Sequence, residues 1–349
     1  MYASARYDML LLAIESSCDE TSAAVVRDGR TVLSNVISTQ EAVHAAYGGV
    51  VPEIASRKHL EVITLVIEEA LKRASVSLDQ VEGIAVTRGP GLAGSLLVGI
   101  SAAKAIAYAR RLPLVGIHHI EGHLFAVFLE NPVEFPFVAL VVSGGHTHLY
   151  RVDGVGRYRT LGQTRDDAAG EAFDKVAKIL GLPYPGGAVI DRLACEGDPK
   201  RIKLPRPLLR DGSCNFSFSG LKTAVLQYVG NNPSSSEGKP LNDLCASFQA
   251  AVCEVLVEKT KRALFDTGVT RLVVAGGVAC NGGLRSAMAE MAQEAGFELA
   301  FPSPILCTDN GAMIAVPADY YLGNGIVSGY DLDAKVSWSL DSLRERTGC

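Results

Sequence analysis

The sequence lacks the features of a membrane protein and of a secreted, disulfide-bonded protein. No stretch reaches the roughly 18 consecutive apolar residues that a membrane-spanning helix requires, so no membrane partner is expected. Residues 1–8 are polar and too short for a signal peptide or a transit peptide, and we expect a loose tail and a cytoplasmic protein. The eight cysteines include no Cys-x-x-Cys pair, and we expect reduced thiols.

Common motifs for nucleotide binding and for zinc proteolysis are also missing. There is no P-loop ending in Gly-Lys-Ser or Gly-Lys-Thr, and no Gly-x-Gly-x-x-Gly follows the first predicted strand. In zincin proteases a glutamate directly follows the first metal-binding histidine, whereas Glu121 is the second residue after His119. A metalloprotease would therefore lack its general base, and we disfavour this class.

The net charge of −5 gives the chain no general attraction for nucleic acid, so a polyanionic partner would need a local basic patch. One such patch lies in a proline-interrupted segment that contains no acidic residue. Taken alone, this segment is compatible with an ordinary solvated loop as well as with phosphate binding. Its basic residues are Lys200, Arg201, Lys203, Arg206 and Arg210.

What the chain contains is typical of a globular enzyme. Of its 349 residues, 48% are hydrophobic and 20% are charged. That length suffices for two lobes of roughly 100–200 residues each. Strand-like and helix-like segments alternate along the whole chain, which predicts an α/β fold.

One order of predicted elements occurs twice. Residues 9–37 contain a strand, a polar turn, a second strand, a glycine turn and a third strand, and residues 138–161 repeat this order. A duplicated unit of this kind predicts two facing lobes. We place the first lobe at residues 9–131, with a C-terminal helix that returns to it at about 312–340, and the second lobe at residues 132–311.

Two histidines have the spacing of metal ligands. If a helix begins near His118, His119 and His123 stand at positions i and i+4 and project from one helix face. Imidazole binds zinc, iron, copper and nickel, so the ligand type does not select the metal. On spacing alone, the alternative is an ordinary polar pair on the surface of a structural helix.

Three glycine-rich turns follow predicted strands, at residues 89–95, 143–147 and 276–281. Glycine allows a ligand to approach the backbone closely, so the N–H groups of such turns can bind a phosphate or a nucleoside. Each turn alone is ordinary in an α/β protein.

Acidic residues lie near two predicted helix starts. The helix dipole explains Asp166 and Asp167 without any function, and Asp174 lies farther along the same helix face, where it could accept hydrogen bonds from hydroxyl groups. Asp309 precedes the last predicted helix. Because aspartate is a good N-cap residue, a metal role for Asp309 needs independent support.

Taken together, these segments closely resemble the TsaD/Gcp family, whose members are tRNA N6-adenosine threonylcarbamoyltransferases. The resemblance covers about residues 9 to 340 and rests on a series of motifs in the family's order. The motifs are Ile-Glu-Ser-Ser-Cys-Asp-Glu-Thr at 14–21, Gly-Gly-Val-Val-Pro-Glu-Ile-Ala-Ser-Arg at 48–57, the segment with His119 and His123, Val-Ser-Gly-Gly-His-Thr at 142–147, Asp-Asp-Ala-Ala-Gly-Glu-Ala-Phe-Asp-Lys at 166–175, Phe-Ser-Phe-Ser-Gly-Leu-Lys-Thr at 216–223 and Cys-Thr-Asp-Asn-Gly-Ala-Met-Ile-Ala at 307–315.

The resemblance implies an actin/Hsp70-like (ASKHA) duplicated fold with two lobes and a central cleft. It implies that His119, His123 and Asp309 bind one divalent metal ion, usually assigned as iron, although zinc is also found in such sites. It also implies a set of residues that bind threonylcarbamoyl-AMP: Val141, Val142, Ser143, Gly144, Gly145, Asp174, Gly187, Asp191 and Asn281.

The implied reaction transfers the threonylcarbamoyl group from threonylcarbamoyl-AMP to N6 of adenosine 37 and releases AMP. Its substrates are tRNAs that read codons beginning with A. By analogy, Asp19 or Glu20 orients or deprotonates the amine, and the alternative role for both is to cap the first turn. We predict that the basic patch and Lys222 contact tRNA phosphates.

Members of the bacterial type work with a TsaB-like paralogue and a TsaE-like small ATPase. Archaeal and eukaryotic relatives tend to carry an additional tyrosine ligand where this chain has Val141, so the chain looks like the bacterial branch with three protein ligands. Two alternatives share the expected fold. An ATPase or sugar kinase would not need the metal-binding set, and a scaffolding paralogue would have no reason to retain the histidines.

Overall fold

The computed structural model describes residues 8–346, which form two compact units. Residues 1–7, where the sequence predicts a loose tail, and Cys349, for which a reduced thiol is expected, lie outside the described residues. Among the described residues, the first unit comprises 8–44, 50–133 and 308–346, and the second comprises 45–49 and 134–307.

Strands and helices alternate along both units, as the predicted α/β class requires. The strands are β1 (Leu10–Glu15), β2 (Glu20–Arg27), β3 (Thr31–Thr39), β4 (Gly83–Gly89), β5 (Leu114–His118), β6 (Phe137–Val142), β7 (Thr147–Gly154), β8 (Arg157–Gln163), β9 (Arg271–Ala275) and β10 (Glu298–Ala300). The helices are α1 (Glu41–Ala45), α2 (Pro52–Ala74), α3 (Ala93–Arg110), α4 (His119–Phe125), α5 (Ala169–Ile179), α6 (Gly186–Ala194), α7 (Ser219–Asn231), α8 (Gly238–Thr267), α9 (Gly282–Ala295), α10 (Pro304–Cys307) and α11 (Gly311–Gly323).

The first unit contains a five-stranded sheet in the order β3-β2-β1-β4-β5. Strand β1 pairs antiparallel with β2 and parallel with β4; β2 and β3 are antiparallel, and β4 and β5 are parallel. Every residue of β1 is buried, which accounts for its nearly uninterrupted apolar sequence. Glu15, the last residue of β1, is the polar exception and lies at the edge where the site is built.

The second unit repeats this arrangement in the order β10-β9-β6-β7-β8. Strand β6 takes the place of β1, because it pairs antiparallel with β7 and parallel with β9. The predicted duplication is therefore confirmed. The sequence did not predict β10, which has only three residues and completes the parallel side of the sheet.

Helix α2 illustrates how the local sequence sets the helix boundaries. It begins at Pro52 and ends at Ala74, as predicted, because proline fits the first turn and Ser75 adopts the left-handed conformation that terminates the helix. Its buried residues, including Ile63 and Val66, pack into the core of the first unit. Within residues 8–346, no helix is sufficiently long and apolar to span a membrane.

The parallel strands of the first unit bring the candidate metal ligands to one edge. Because β1, β4 and β5 run in the same direction, their C-terminal ends lie at the same edge of the sheet. At that edge β1 ends with Glu15, and β5 ends with His118 and leads directly into α4. The loops at such carboxyl ends are where open α/β sheets bind their ligands.

Candidate functional site

Helix α4 places two histidines on one buried face. His118 caps the helix, since its Nδ1 accepts a hydrogen bond from the backbone N–H of Ile120. His119 and His123 follow at the predicted i and i+4 positions, and their exposures are 4% and 0%. An ordinary surface pair, the alternative that the spacing left open, is excluded by this burial.

Asp309 brings a carboxylate to the two imidazoles. Its Oδ1 lies 3.1 Å from Nε2 of His123 and 3.7 Å from Nε2 of His119. Asn310 rather than Asp309 caps α11, because the Asn310 side chain accepts from the backbone N–H of Met313. The capping role that the sequence suggested for Asp309 is therefore wrong, and its side chain contacts the histidines instead.

These three side chains form a compact donor set. One potential ligand atom from each of His119, His123 and Asp309 lies within 4.8 Å of the others. Two imidazole nitrogens and one carboxylate oxygen are suitable donors for zinc, iron and other divalent transition metals. The residues present thus fit the metal ion that the sequence resemblance implies.

Glu15 lies behind His119 and contacts the side of the imidazole that faces away from Asp309. Its Oε2 is 3.1 Å from Nδ1 of His119. The carboxylate is completely buried and also accepts hydrogen bonds from the backbone N–H of Ser17 and the hydroxyl of Thr87, both at 2.5 Å. Such a carboxylate is typical of metal centres, where it fixes the tautomer and the orientation of a histidine ligand.

Electrostatics also favour a cation at this position. Burial lowers the pKa of His119, but the carboxylates of Asp309 and Glu15 outweigh this effect and raise the pKa to about 9. Burial raises the pKa of Glu15, yet His119 holds it below its usual value. Two carboxylates beside two imidazoles therefore stabilise positive charge between them.

The sequence did not identify Glu15 as a site residue. The available signal was an acid at the end of a strand whose other residues are apolar, inside the motif at 14–21.

Glu121 is also completely buried, and it accepts a hydrogen bond from the hydroxyl of Tyr321 at 2.7 Å. That contact gives Glu121 a structural role. A buried, structural Glu121 agrees with the expectation that a metalloprotease would lack its general base here.

Asp19 lies in the turn between β1 and β2, Glu20 is the first residue of β2, and both are half-buried. The pKa of Glu20 is raised well above its usual value, first by burial and then by the negative charges of Asp19 and Asp309. The hydroxyl of Thr39 lies 3.4 Å from Glu20 Oε1. A carboxylate with a raised pKa is a stronger base than an ordinary carboxylate.

In the second unit, the turn after β6 exposes two glycines. The turn is closed by hydrogen bonds between Ser143 and His146, while no other group approaches within 4 Å of the Cβ positions of Gly144 and Gly145. Val141 and Val142, which precede the turn, are completely buried. The open part of the predicted adenylate-binding segment is therefore its Ser143–Gly145 end.

The remaining predicted adenylate residues connect helix starts in the second unit. Asp174 Oδ1 accepts from the N–H of Gly186, beside Gly187, at 2.8 Å, and Asp191 Oδ2 accepts from the N–H of Gly282 at 2.9 Å. Asn281 caps α9 through the N–H of Leu284 and is 8% exposed. These contacts hold the glycine-containing starts of α6 and α9 in place, and helix starts of this kind attract phosphate groups.

The acids before α5 have structural partners. Asp166 accepts hydrogen bonds from the backbone N–H groups of Phe218 and Ser219 at the start of α7. Asp167 pairs with Lys175 at 2.7 Å. The local sequence therefore did not reveal the hydrogen-bond partners of Asp166, because they are distant in sequence.

The basic patch is fixed to the second unit by buried residues. Ile202 and Leu204 are buried within it, whereas four basic side chains, Lys200, Arg201, Lys203 and Arg210, belong to exposed residues. Arg206 instead forms an ion pair with Glu254 at 2.8 Å. Lys222 is half-buried on α7.

Just beyond the patch, the buried Lys259 holds the chain in place. Its ammonium group lies 2.5 Å from Asp211 Oδ1 and donates to the carbonyl of Ser213. Hydrogen bonding from Lys259 lowers the pKa of Asp211 to about 2. The exposed cations are thus carried on a segment with a defined path.

Comparisons with known proteins identify the family and the fold. The chain is 70% identical over 338 residues to the tRNA N6-adenosine threonylcarbamoyltransferase of Geotalea uraniireducens, covering 97% of this chain and 98% of the relative. It is 69% identical over 335 residues to the enzyme of the same name from Geobacter sulfurreducens, covering 96% of this chain and 98% of the relative.

Two solved structures share the fold at low sequence identity. Full-length HypF in a phosphate- and nucleotide-bound form matches with a TM-score of 0.60 at 15% identity, covering 92% of this chain and 47% of that one. Component A of (R)-2-hydroxyglutaryl-CoA dehydratase from Acidaminococcus fermentans matches with a TM-score of 0.54 at 16% identity, covering 90% of this chain and 99% of that one. The predicted actin/Hsp70-like fold is confirmed.

The sequence profile of the TsaD family, described as tRNA N6-adenosine threonylcarbamoyltransferase, matches residues 31–316. This match spans elements of both units, including α4 and the turn after β6. The chain therefore belongs to the TsaD family and is an acyltransferase that acts on tRNA.

Proposed function

We propose that this enzyme transfers the threonylcarbamoyl group from threonylcarbamoyl-AMP to N6 of adenosine 37, in tRNAs that read codons beginning with A. The observation that carries the proposal is the donor set of two buried histidines, His119 and His123, with the half-buried Asp309, and Glu15 behind His119. An ATPase or a sugar kinase of the same fold has no need of such a set. A family scaffold without catalytic activity would gain nothing from burying it.

The donor set is proposed to hold one divalent metal ion, with iron expected and zinc as the alternative. When bound, this ion supplies Lewis acidity that polarises an oxygen of the substrate. Three protein ligands leave coordination positions for water or substrate. His119 and His123 would each provide an imidazole nitrogen, and Asp309 would provide a carboxylate oxygen whose negative charge favours a cation.

The second unit is proposed to bind the adenylate. The backbone N–H groups of the exposed Gly144 and Gly145 and the starts of α6 and α9 are the groups that would contact its phosphate and ribose. Asp174 and Asp191 brace these glycine-containing segments, and Asn281 fixes the start of α9. Their contribution is to keep the backbone donors in position before the substrate arrives.

In the proposed chemical step, the N6 lone pair of adenosine 37 attacks the carbamoyl carbon. A C–N bond forms, the bond between that carbon and the phosphate oxygen breaks, and AMP leaves. The amine must lose one proton, and Asp19 or Glu20 is proposed to orient the amine and accept it. The raised pKa of Glu20 suits this role, because it makes the carboxylate a stronger base than an ordinary one.

The proposed setting of the reaction includes other macromolecules. tRNA is the acceptor, and we expect a TsaB-like paralogue and a TsaE-like small ATPase as protein partners, in the cytoplasm. These expectations rest on the resemblance to the bacterial branch of the family. The transfer activity should therefore be measured for the purified chain alone and for the chain with both partner proteins.

The direct test is to incubate the purified chain with synthetic threonylcarbamoyl-AMP and a tRNA that carries adenosine 37. We expect N6-threonylcarbamoyladenosine in the digested tRNA, with one AMP released for each modified nucleoside. A chelator should stop the reaction, and Fe²⁺ or Zn²⁺ should restore it. The matched control is the same tRNA with guanosine at position 37.

Two outcomes would contradict the proposal. The first is no modified nucleoside from metal-loaded protein with both partner proteins present. The second is full activity in the presence of a chelator that has removed all bound metal, since this would separate the reaction from the donor set. ATP hydrolysis without the adenylate would instead favour the ATPase of the same fold.

The exposed cations of the basic patch give a second test. Replacing Lys200 and Lys203 together by glutamate should weaken tRNA binding on the order of tenfold at 0.1 M salt, because both side chains are expected to neutralise phosphates. The slope of log affinity against log salt should fall by about 1 for each lost contact. Filter binding over a salt series measures both quantities.

Lys72→Glu is the matched control for this pair. Lys72 is an exposed lysine of the first unit whose side chain is 83% accessible, and its reversal changes the net charge by the same amount as each single reversal in the patch. We expect no change in the salt slope for this variant. Equal affinities for the double variant and the unchanged chain would show that the patch is an ordinary solvated loop.

A further inference from the structure

Trp338, the only tryptophan of the chain, lies at the sheet edge of the first unit where the donor set is built. Its backbone carbonyl accepts a hydrogen bond from Nε2 of His118 at 3.1 Å, and the centroids of the two rings are 4.8 Å apart. His118 is the last residue of β5 and directly precedes His119. The indole therefore lies beside the start of the helix that carries both histidines of the donor set.

The glycine-rich turn at residues 89–95 brings the segment with Trp338 to this edge. The backbone N–H of Lys335 donates to the carbonyl of Arg88, the residue before the end of β4, at 2.9 Å. A Cβ atom at Gly89 would overlap the carbonyl oxygen of Lys335. This glycine thus serves the close packing of two backbone segments, and the packing fixes the path of the chain toward Trp338.

The indole of Trp338 is not needed for these attachments. They use backbone groups, and Leu332, earlier in the same segment, is buried in the core of the first unit. The indole is half-buried, and its Nε1–H donates to the hydroxyl of Ser342 at 3.0 Å. A tryptophan that stays at the surface with its N–H satisfied is suited to recognition of a partner.

Two cations lie over the indole. The ammonium of Lys335 is 4.7 Å and the guanidinium carbon of Arg88 is 5.5 Å from the ring centroid. Lys335 is exposed, and its neighbour Val336 is 56% exposed. Proteins bind single-stranded nucleic acid with this combination, because an aromatic ring stacks on a base while cations neutralise the phosphates beside it.

We propose that Trp338 stacks on an unpaired base of the tRNA anticodon loop, while Lys335 and Arg88 contact the adjacent phosphates. This stacking site rests on the proposed function, since it takes tRNA as the acceptor. A cation over an exposed ring is held more weakly than a stacked base. The incoming base therefore displaces Lys335 from the indole, and the flexible ammonium turns to the phosphate. Because the ring lies beside the helix that carries the histidines, the stacked base is a loop neighbour of adenosine 37.

The single tryptophan allows a direct test in the unsubstituted full-length protein. The probe is an anticodon stem-loop RNA that carries adenosine 37. Stacking should quench most of the Trp338 fluorescence as the RNA saturates the protein, and Trp338→Phe, which contains no tryptophan, supplies the background signal. RNA that binds on a filter without changing the Trp338 fluorescence would overturn the proposal.

Variants separate stacking from support of the fold. Trp338→Ala should weaken binding of the same RNA by roughly 10- to 100-fold, and Trp338→Phe should recover most of the affinity, because phenylalanine keeps a stacking face. Metal content should stay unchanged in both variants. Loss of metal from Trp338→Ala with unchanged RNA affinity would mean that the ring only supports α4. Lys335→Gln should lower the slope of log affinity against log salt by about 1.

Tyr108→Ala is the matched control for these variants. Tyr108 is an aromatic residue of α3 that is 73% exposed, and it lines a cavity with Leu114, the first residue of β5. It therefore lies at the end of β5 opposite to His118, and its variant should bind the RNA with unchanged affinity.

The stacking site and the proposed function fail separately. RNA that is modified at adenosine 37, while neither the Trp338 fluorescence nor the affinity of Trp338→Ala changes, overturns the stacking site alone. RNA that is neither bound nor modified with both partner proteins present overturns the proposed function, and the stacking site with it.

Discussion

Replacing His119 and His123 together by alanine should abolish metal binding and lower the transfer rate by about a thousandfold. The two imidazoles supply two of the three donors in the set, and Asp309 alone cannot retain a transition metal ion in competition with water. A bound metal contributes several kcal/mol of charge stabilisation to reactions of this kind, which corresponds to about three factors of ten in rate. Metal content by mass spectrometry and single-turnover transfer measure the two effects.

The matched control for this double variant is His118→Asn. His118 is the neighbouring buried histidine, but it caps α4 and lies outside the donor set. Asparagine can still cap the helix, so the variant should keep its metal and most of its activity. If the double variant retained the metal content of the unchanged protein, the assignment of the ligands would be wrong. Circular dichroism distinguishes this result from loss of the fold.

The fold could be predicted from the sequence where local signals were strong. The first strand is an apolar run, and α2 begins at a proline and ends where the chain reverses its backbone conformation at Ser75. These features depend on neighbouring residues only. Strand β10 was missed because three residues, none of them fully buried, carry no periodic pattern. Its strand conformation comes from pairing with β9.

The candidate site was predictable only in part, for the same physical reason. The spacing of His119 and His123 is a local property of one helix turn, so the sequence exposes it directly. The contact between His123 and Asp309 joins residues 186 positions apart, and only the family resemblance linked them. Spacing could not decide between Asp309 and Asn310 as the helix cap either, because both residues are good caps and the choice depends on tertiary contacts.

Glu15 was missed because its role depends on a contact between strands and helices. It lies 104 positions from His119, and its charge is buried by elements that meet only in the folded unit.

The two histidines also differ in the hydrogen-bond partners of their Nδ1 atoms. Nδ1 of His119 contacts Glu15 and the hydroxyl of Ser17, whereas Nδ1 of His123 has no hydrogen-bond partner within the described residues. The site is therefore asymmetric, and one carboxylate orients one ligand.

This asymmetry leads to the second large effect, which we expect for Glu15→Gln. The glutamine keeps the size of the side chain but removes the charge. A carboxylate only accepts hydrogen bonds, so it fixes the proton of His119 on Nδ1, whereas an amide can also donate and does not fix it. Metal affinity should fall by about 10- to 100-fold, the usual effect of removing a carboxylate behind a histidine ligand. Competition with a chromophoric chelator measures the affinity. Glu82→Gln is the matched control, since that carboxylate accepts from the backbone of Leu10 at the opposite end of β1.

A second measurement separates orientation of the ligand from general damage to the site. In metal-free protein the pKa of His119 should fall below about 9 in Glu15→Gln, because the Glu15 carboxylate is one of the two charges that raise it. NMR titration of the histidine ring signals measures this change. A lower pKa together with weaker metal binding supports the orienting role. A lower pKa with unchanged metal affinity would mean that Glu15 only balances charge, and that Asp309 and helix α4 suffice to hold His119 toward the metal.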